Sequence, residues 1–194
     1  MPDSVEEGTI VGMTEHIDFL QLRDFAVSTA TRAAELIAAR RAELVAGDGI
    51  AAHTSTKSSD VDPVTEVDTA TEEFIATTIR TQRPGDGIFG EEGANVESTS
   101  GVTWIVDPID GTVNFLYGVP DFAVSIGAEY QGRLVAGAVV NVARGRTYAA
   151  AAGQGATVTG PDGKAHPLQC AHTKNPALAL VATCLLYTSP SPRD

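Results

Sequence analysis

"WIVDPIDGTVNF", residues 104–115, closes an apolar run with two aspartates three positions apart, a proline between them and Gly111–Thr112 behind them. Trp104, Ile105 and Val106 read as a short buried strand, and the residues after Asp110 read as the opening of a helix. Negative charge gathered at such a junction has two explanations. Asp110–Gly111 taken alone is a turn, a role both residue types fill well. The alternative is a cation site. Asp107 and Asp110 each offer a carboxylate oxygen, and the kink at Pro108 frees the Ile109 carbonyl between them; Mg2+ and Mn2+ bind through oxygens of these kinds. A helix starting at Gly111–Thr112 adds unpaired N–H groups, Gly111 lets a phosphate come close, and Thr112 supplies a hydroxyl. Cations and amide donors would then face one phosphate from two sides, which suits hydrolysis by a metal-activated water.

On the N-terminal side of this stretch lie two helical patterns. Phe19, Leu22, Ala26, Ala30, Ala33, Leu36 and Ile37 recur at helical spacing between about His16 and Ala46, and Gly47 is a natural stop. A polar stretch follows, in which Pro63 disfavours helix for Asp62. A second helix is expected to open at Asp68 or Thr69, with Glu72 and Glu73 in its first turn, and to end at "RPGDG". Gly87–Gly90 and Val102–Val106 are short apolar strands. "FAVSIGAEY", "RLVAGAVVN", "RTYAAAAG" and "ATVTG" continue the β pattern, separated by turn signals, and "ALALVAT" reads as a buried strand. Two long helices before a run of strands predict a layered α+β domain, the helices antiparallel on one face of a largely antiparallel sheet.

The 194 residues carry 13 Lys plus Arg against 25 Asp plus Glu, a net charge of −12, so nucleic-acid polymers and anionic membranes are disfavoured as partners. Bound cations would invert that field locally and admit a phosphate ester. No apolar run is long enough for a membrane span, the N-terminus lacks signal-peptide regions, and Cys170 and Cys184 have no metal-like spacing. A cytoplasmic, reducing setting is expected.

Three further stretches put carboxylates beside turn residues: Asp62-Pro63-Val64-Thr65 with Asp68, Gly90-Glu91-Glu92-Gly93, and Asp121. Glu91–Glu92 follows a strand directly, and acids at the carboxyl ends of strands stand where α/β ligand sites lie. Singly, each has an ordinary reading: Asp68 as a helix N-cap, Glu91–Glu92 as a solvated loop, Lys57 as a solvated lysine, Trp104 as core.

Together, "KSSDVDPVTEVD", "GEEG" and "WIVDPIDGTVNF", in that order, resemble the motifs of the inositol monophosphatase family of Mg2+-dependent, lithium-sensitive sugar phosphatases, over about His16 to Thr183. The resemblance implies the first half of an αβαβα sugar-phosphatase fold. It implies Glu91, Asp107 and the Ile109 carbonyl as ligands of a first metal, and Asp107 with Asp110 as ligands of a second. Asp68 and Thr112 resemble the pair that orients and deprotonates the attacking water, and the Gly111 and Thr112 amides would hold the phosphate. Glu92 and Lys57 match positions near the metals and a neighbouring loop. Mg2+ is the implied cofactor with Mn2+ as substitute, the partner a small phosphorylated substrate, and the parent a homodimer. Rival substrates in the superfamily are 3′-phosphoadenosine 5′-phosphate, histidinol phosphate and fructose bisphosphate; a non-catalytic metal-binding fragment is the rival of another class.

One departure stands out. The family's pattern continues into a second half with a W-D-x-A-A-G-type motif whose aspartate completes the second metal site, and nothing here matches it. The expected division is therefore a flexible leader over 1–15, a metal-binding α+β domain over 16–183, and a foreign or disordered tail over 184–194 with the second domain missing. The far face of the sheet should then be under-covered and prone to association, activity should be impaired, and Glu91, Asp107 and Asp110 should converge with the Ile109 carbonyl on one point.

Overall fold

The computed structural model describes residues 17–46, 63–170 and 172–178. Lys57, Asp62, the expected leader and the expected tail lie outside the described residues. Helix α1 spans Phe19–Ala46 and helix α2 spans Pro63–Gln82. Strands follow at β1 Gly87–Gly90, β2 Asn95–Val96 and β3 Val102–Asp110, then a short helix α3 at Thr112–Tyr117. The remaining strands are β4 Ala123–Tyr130, β5 Arg133–Asn141, β6 Arg146–Ala151, β7 Gly155–Thr159 and β8 Ala165–Leu168. They form one eight-stranded sheet in the order β2-β1-β3-β4-β5-β6-β7-β8, antiparallel throughout except for β1 and β3. The α+β expectation holds.

Three boundaries differ from expectation. Helix α2 opens at Pro63, five residues before Asp68, because proline has the backbone angle of a first helical position and needs no N–H there. Asp68 therefore lies inside the helix and does not cap it, and Glu72 and Glu73 stand well past the first turn. Strand β3 runs on through Asp107 and Pro108 to Asp110 rather than stopping at Val106; a register shift between Asp107 and Asp110 absorbs the proline. The expected strand over "ALALVAT" begins instead as a 3-10 turn at Pro176–Leu178, and residues 179–183 lie outside the described residues.

Small residues let α1 lie close to the sheet. Leu22, Ala26, Ala30, Ala33 and Ile37 are buried against β4, β5 and β6, while α2 packs Val67, Ile75 and Ile79 over β1 and β3. Trp104 is fully buried, as expected of a core residue. Its indole nitrogen donates to Asp86 Oδ2 at 2.8 Å, and Phe25 of α1 packs on its ring with centroids 4.9 Å apart.

The two faces of the sheet are unlike. Side chains alternate along each strand, so Trp104, Val106, Ile126 and Ala138 point to the helices. Phe89, Ile105, Leu134, Val139, Tyr148 and Leu168 are exposed on the other side, and among the described residues nothing covers them.

Candidate active site

The parallel pairing of β1 with β3 creates the site. Gly90 is in register with Val106, and the Glu91 N–H continues the ladder to the Val106 carbonyl at 3.1 Å. The residues that leave the two strand ends, Glu91 and Asp107, are thereby set side by side although 16 positions separate them. Only a short turn connects α2 to β1, so the helix runs back over the strand and its N-terminal half lies above the strand's carboxyl end. Asp68 and Glu72 stand four apart on the helix face that also carries Ile75 and Ile79, and they point inward: Asp68 is 6% exposed and Glu72 4%.

Six carboxylates thus share one corner, those of Asp68, Glu72, Glu91, Glu92, Asp107 and Asp110. Burial, then repulsion from Glu92, Asp107, Glu91 and Glu72, pushes the Asp68 carboxyl from its ordinary 3.8 up to about 7. Asp107 is also pushed up to about 7, first by burial, then by repulsion from Glu91 and hydrogen-bonding approach of its carboxyl, then by Asp110; a backbone hydrogen bond from Ile109 opposes this. One oxygen of each, Asp68 Oδ1 and Asp107 Oδ1, is buried and has no hydrogen-bond partner among the described residues. An unsatisfied buried carboxylate oxygen costs of order 1–3 kcal/mol or more, so two in one corner call for a positive ion or a proton.

The donor set is all oxygen, which fits a hard divalent cation and not a thiolate- or imidazole-bound metal. The expected convergence is only partial. Among the described residues no three Asp, Glu, His or Cys side chains close into a metal-sized cluster. Asp107 has Glu91 within hydrogen-bonding range and feels Asp110 through its charge, but the three do not close on one point, as like charges keep apart unless a cation draws them in.

Around Gly111 the turn and phosphate readings overlap. Gly111 has φ of 87°, a conformation that favours glycine, and a Cβ there would come 3.0 Å from the Asp121 carbonyl. The glycine is explained by the backbone alone. Helix α3 has only six residues, so its dipole is weaker than that of a full helix. The Thr112 hydroxyl donates to the Ile109 carbonyl at 3.1 Å, leaving its oxygen free to accept from water. Asp121 stays apart: it is exposed and accepts from Asn141 at 2.9 Å. Cys170 is free and exposed.

Glu72 is the site residue that the sequence reading passed over. Its Oε2 accepts from the Glu92 N–H and its Oε1 from the Ala94 N–H, each at 2.8 Å. The available signal was a glutamate four residues after Asp68 on the apolar stripe of α2, where an acid is out of place. Arg41 supports the helix that follows Asp110 from outside the carboxylate corner. Its guanidinium lies over the rings of Phe115 and Phe122, at 5.9 and 5.8 Å, and its Nε donates to the Phe115 carbonyl at 3.4 Å, tying α3 to α1.

The family model described as "Inositol monophosphatase family" matches residues 18–193. The chain is 47% identical over 177 residues to the inositol-1-monophosphatase SuhB of Mycobacterium tuberculosis, covering 87% of this chain and 60% of that protein. The solved structure of Mycobacterium tuberculosis SuhB superposes with a TM-score of 0.66 at 43% identity, over 81% of this chain and 55% of the other. The inositol monophosphatase II from Staphylococcus aureus matches with a TM-score of 0.64 at 33% identity, over 80% and 52%. A histidinol-phosphatase of Chlorobaculum parvum is 44% identical over 101 residues, 52% of this chain and 39% of that protein. The chain thus spans about 60% of the length of the curated Mycobacterium tuberculosis relative. Among the described residues no helix is long and apolar enough to cross a membrane.

Proposed function

This chain belongs to the inositol monophosphatase family, and from that premise we propose that it serves a divalent-cation-dependent phosphomonoesterase acting on inositol monophosphate or a related small phosphate ester. The observation that carries the reading is the pairing of Glu91 with Asp107 at adjacent strand ends, beside the unpartnered buried oxygens of Asp68 and Asp107. Mg2+, or Mn2+ in its place, would be held by Glu91, Asp107, Asp110 and the Ile109 carbonyl, and would supply an acidified water and charge stabilisation at the leaving oxygen.

The chain's own residues do the rest. Glu91 and Asp107 would hold the ion from two parallel strands, with Asp110 a further ligand from beyond Pro108. Asp68, buried with one free oxygen, accepts the proton of the attacking water, which the Thr112 hydroxyl orients. The Gly111 and Thr112 amides seat the phosphate. Glu92 is the foremost neighbouring charge acting on Asp68 and holds its proton affinity up. Lys57 remains a candidate for a neighbouring role. A homodimeric assembly and a cytoplasmic, reducing setting belong to the same proposal, the latter resting on cysteine usage.

The test is phosphate release from inositol 1-phosphate with and without Mg2+, paired with a metal titration of the same chain. Cation-dependent release that Asp107→Asn abolishes is the expected result; equal release in excess EDTA would overturn the reading. Because one relative is a histidinol-phosphatase, histidinol phosphate belongs in the same assay as the competing substrate. Metal binding with no turnover on any ester would favour a non-catalytic metal-binding fragment.

A further inference from the structure

We propose that Glu72 is a positioning residue that sets the Glu91–Glu92 turn for cation binding, an inference that rests on the metal-dependent reading above. Both oxygens of its carboxylate are used, one on the Glu92 N–H and one on the Ala94 N–H, so a single side chain from α2 spans the turn that follows β1. The turn is pinned twice more, by the Gly90 N–H on the Ala94 carbonyl at 2.9 Å and by the Glu91 N–H on the Val106 carbonyl. The fit is close at Gly90. A Cβ there would lie 2.3 Å from Glu72 Oε2 and 2.6 Å from its carboxyl carbon, backed by a helix that packs on the core, so position 90 is glycine to make room for this carboxylate.

The charge of Glu72 is the informative feature. Holding two N–H groups, one on each oxygen, takes a carboxylate, since a glutamine or serine side chain offers only one oxygen. That carboxylate is buried beside Asp68 and the Glu91–Glu92 turn, and it adds to the repulsion on Asp68. A further negative charge in that corner is unfavourable for the protein alone and becomes favourable when a divalent cation occupies it. Glu72 does not need to touch the ion: it orients Glu91 and Glu92 through their backbone and contributes to the field that the ion meets. Groups that orient the ligands of a metal typically govern about 10–100-fold of its affinity.

Three measurements test this on the 194-residue chain, with Mn2+ as the probe. In the unaltered chain the Glu92 and Ala94 amides should exchange slowly although Glu92 is exposed; exchange at open-loop rates would overturn the proposal without any substitution. Glu72→Gln keeps the size but has one acceptor oxygen and turns an NH2 group toward the other N–H. It should weaken Mn2+ binding by about 10–100-fold. Gly90→Ala should reproduce the loss by displacing the carboxylate, and the double variant should bind no more weakly than the worse single one, as expected for two changes acting through one contact. A lowered unfolding midpoint with wild-type Mn2+ affinity would make Glu72 a structural clamp only and overturn the proposal. If Glu72→Gln does not fold, Gly90→Ala and the exchange rates decide. Failure of the wild-type chain to bind Mn2+ sinks the metal reading and this inference with it, whereas wild-type binding with unchanged Glu72→Gln binding sinks this inference alone.

Discussion

Replacing Asp68 by asparagine should stabilise the cation-free protein at pH 8, although a catalytic role is proposed for this residue. The sign follows from linkage. The folded Asp68 carboxyl titrates at about 7 against 3.8 ordinarily, so between those values the native state holds a proton that the unfolded chain has released. Stability must then fall as pH rises from about 4 through 7, and stay low above that. Moving a carboxyl from 3.8 to about 7 corresponds to at most about 4 kcal/mol, and water reaching the open side of the cluster trims the expectation to about 2 kcal/mol. Asparagine has the same shape and no charge, so it removes this slope while keeping the packing. Urea denaturation in EDTA at pH 5 and pH 8 measures it: the variant should be the more stable by under about 1 kcal/mol at pH 5, where only part of the penalty has developed, and by about 2 kcal/mol at pH 8. Saturating Mg2+ should reverse the order, because the cation favours the charged wild-type cluster. Wild-type stability that is flat or rising between pH 5 and pH 8 in EDTA would refute the reasoning.

Asp107→Asn should abolish Mg2+ and Mn2+ binding outright, since Asp107 is the ligand proposed to be common to both metals; calorimetric titration checks it. Arg41→Met should leave α1 intact while loosening α3, costing about 1–2 kcal/mol for the lost cation–π contacts and hydrogen bond. Amide exchange at Phe115 and Gly118, whose N–H groups bond within that turn, should rise while α1 stays protected. The apolar outer face predicts concentration-dependent self-association of the 194-residue chain, and Leu134→Lys with Val139→Lys should suppress it. A wild-type chain that sediments as a monomer at every concentration would show that this face is tolerated in water.

Much of this protein could be read without coordinates, because the governing physics is local. Helical spacing of Leu22, Ala26, Ala30, Ala33 and Ile37 specifies one buried stripe, and period-two alternation between turn signals specifies β4, β5 and β6. "DPIDGT" stands out as a candidate cation site because proline, glycine and paired acids restrict the backbone and donor set together. What the sequence could not reveal were relations between distant segments. The parallel register that sets Glu91 beside Asp107 depends on which strands pair, and that choice is made by the core as a whole. Pro63 as a first helical residue turned Asp68 from a cap into an inward-facing acid, since an extended helix changes which side chains face the sheet. Glu72 shows locally only that an acid stands on an apolar stripe; its two partners lie 20 and 22 positions away and are backbone N–H groups, which have no sequence signature. Residue types and their spacing determined what the corner is made of. Only the packing of α2 across the ends of β1 and β3 decided that six carboxylates would share it, and that two of their oxygens would have no partner among the described residues.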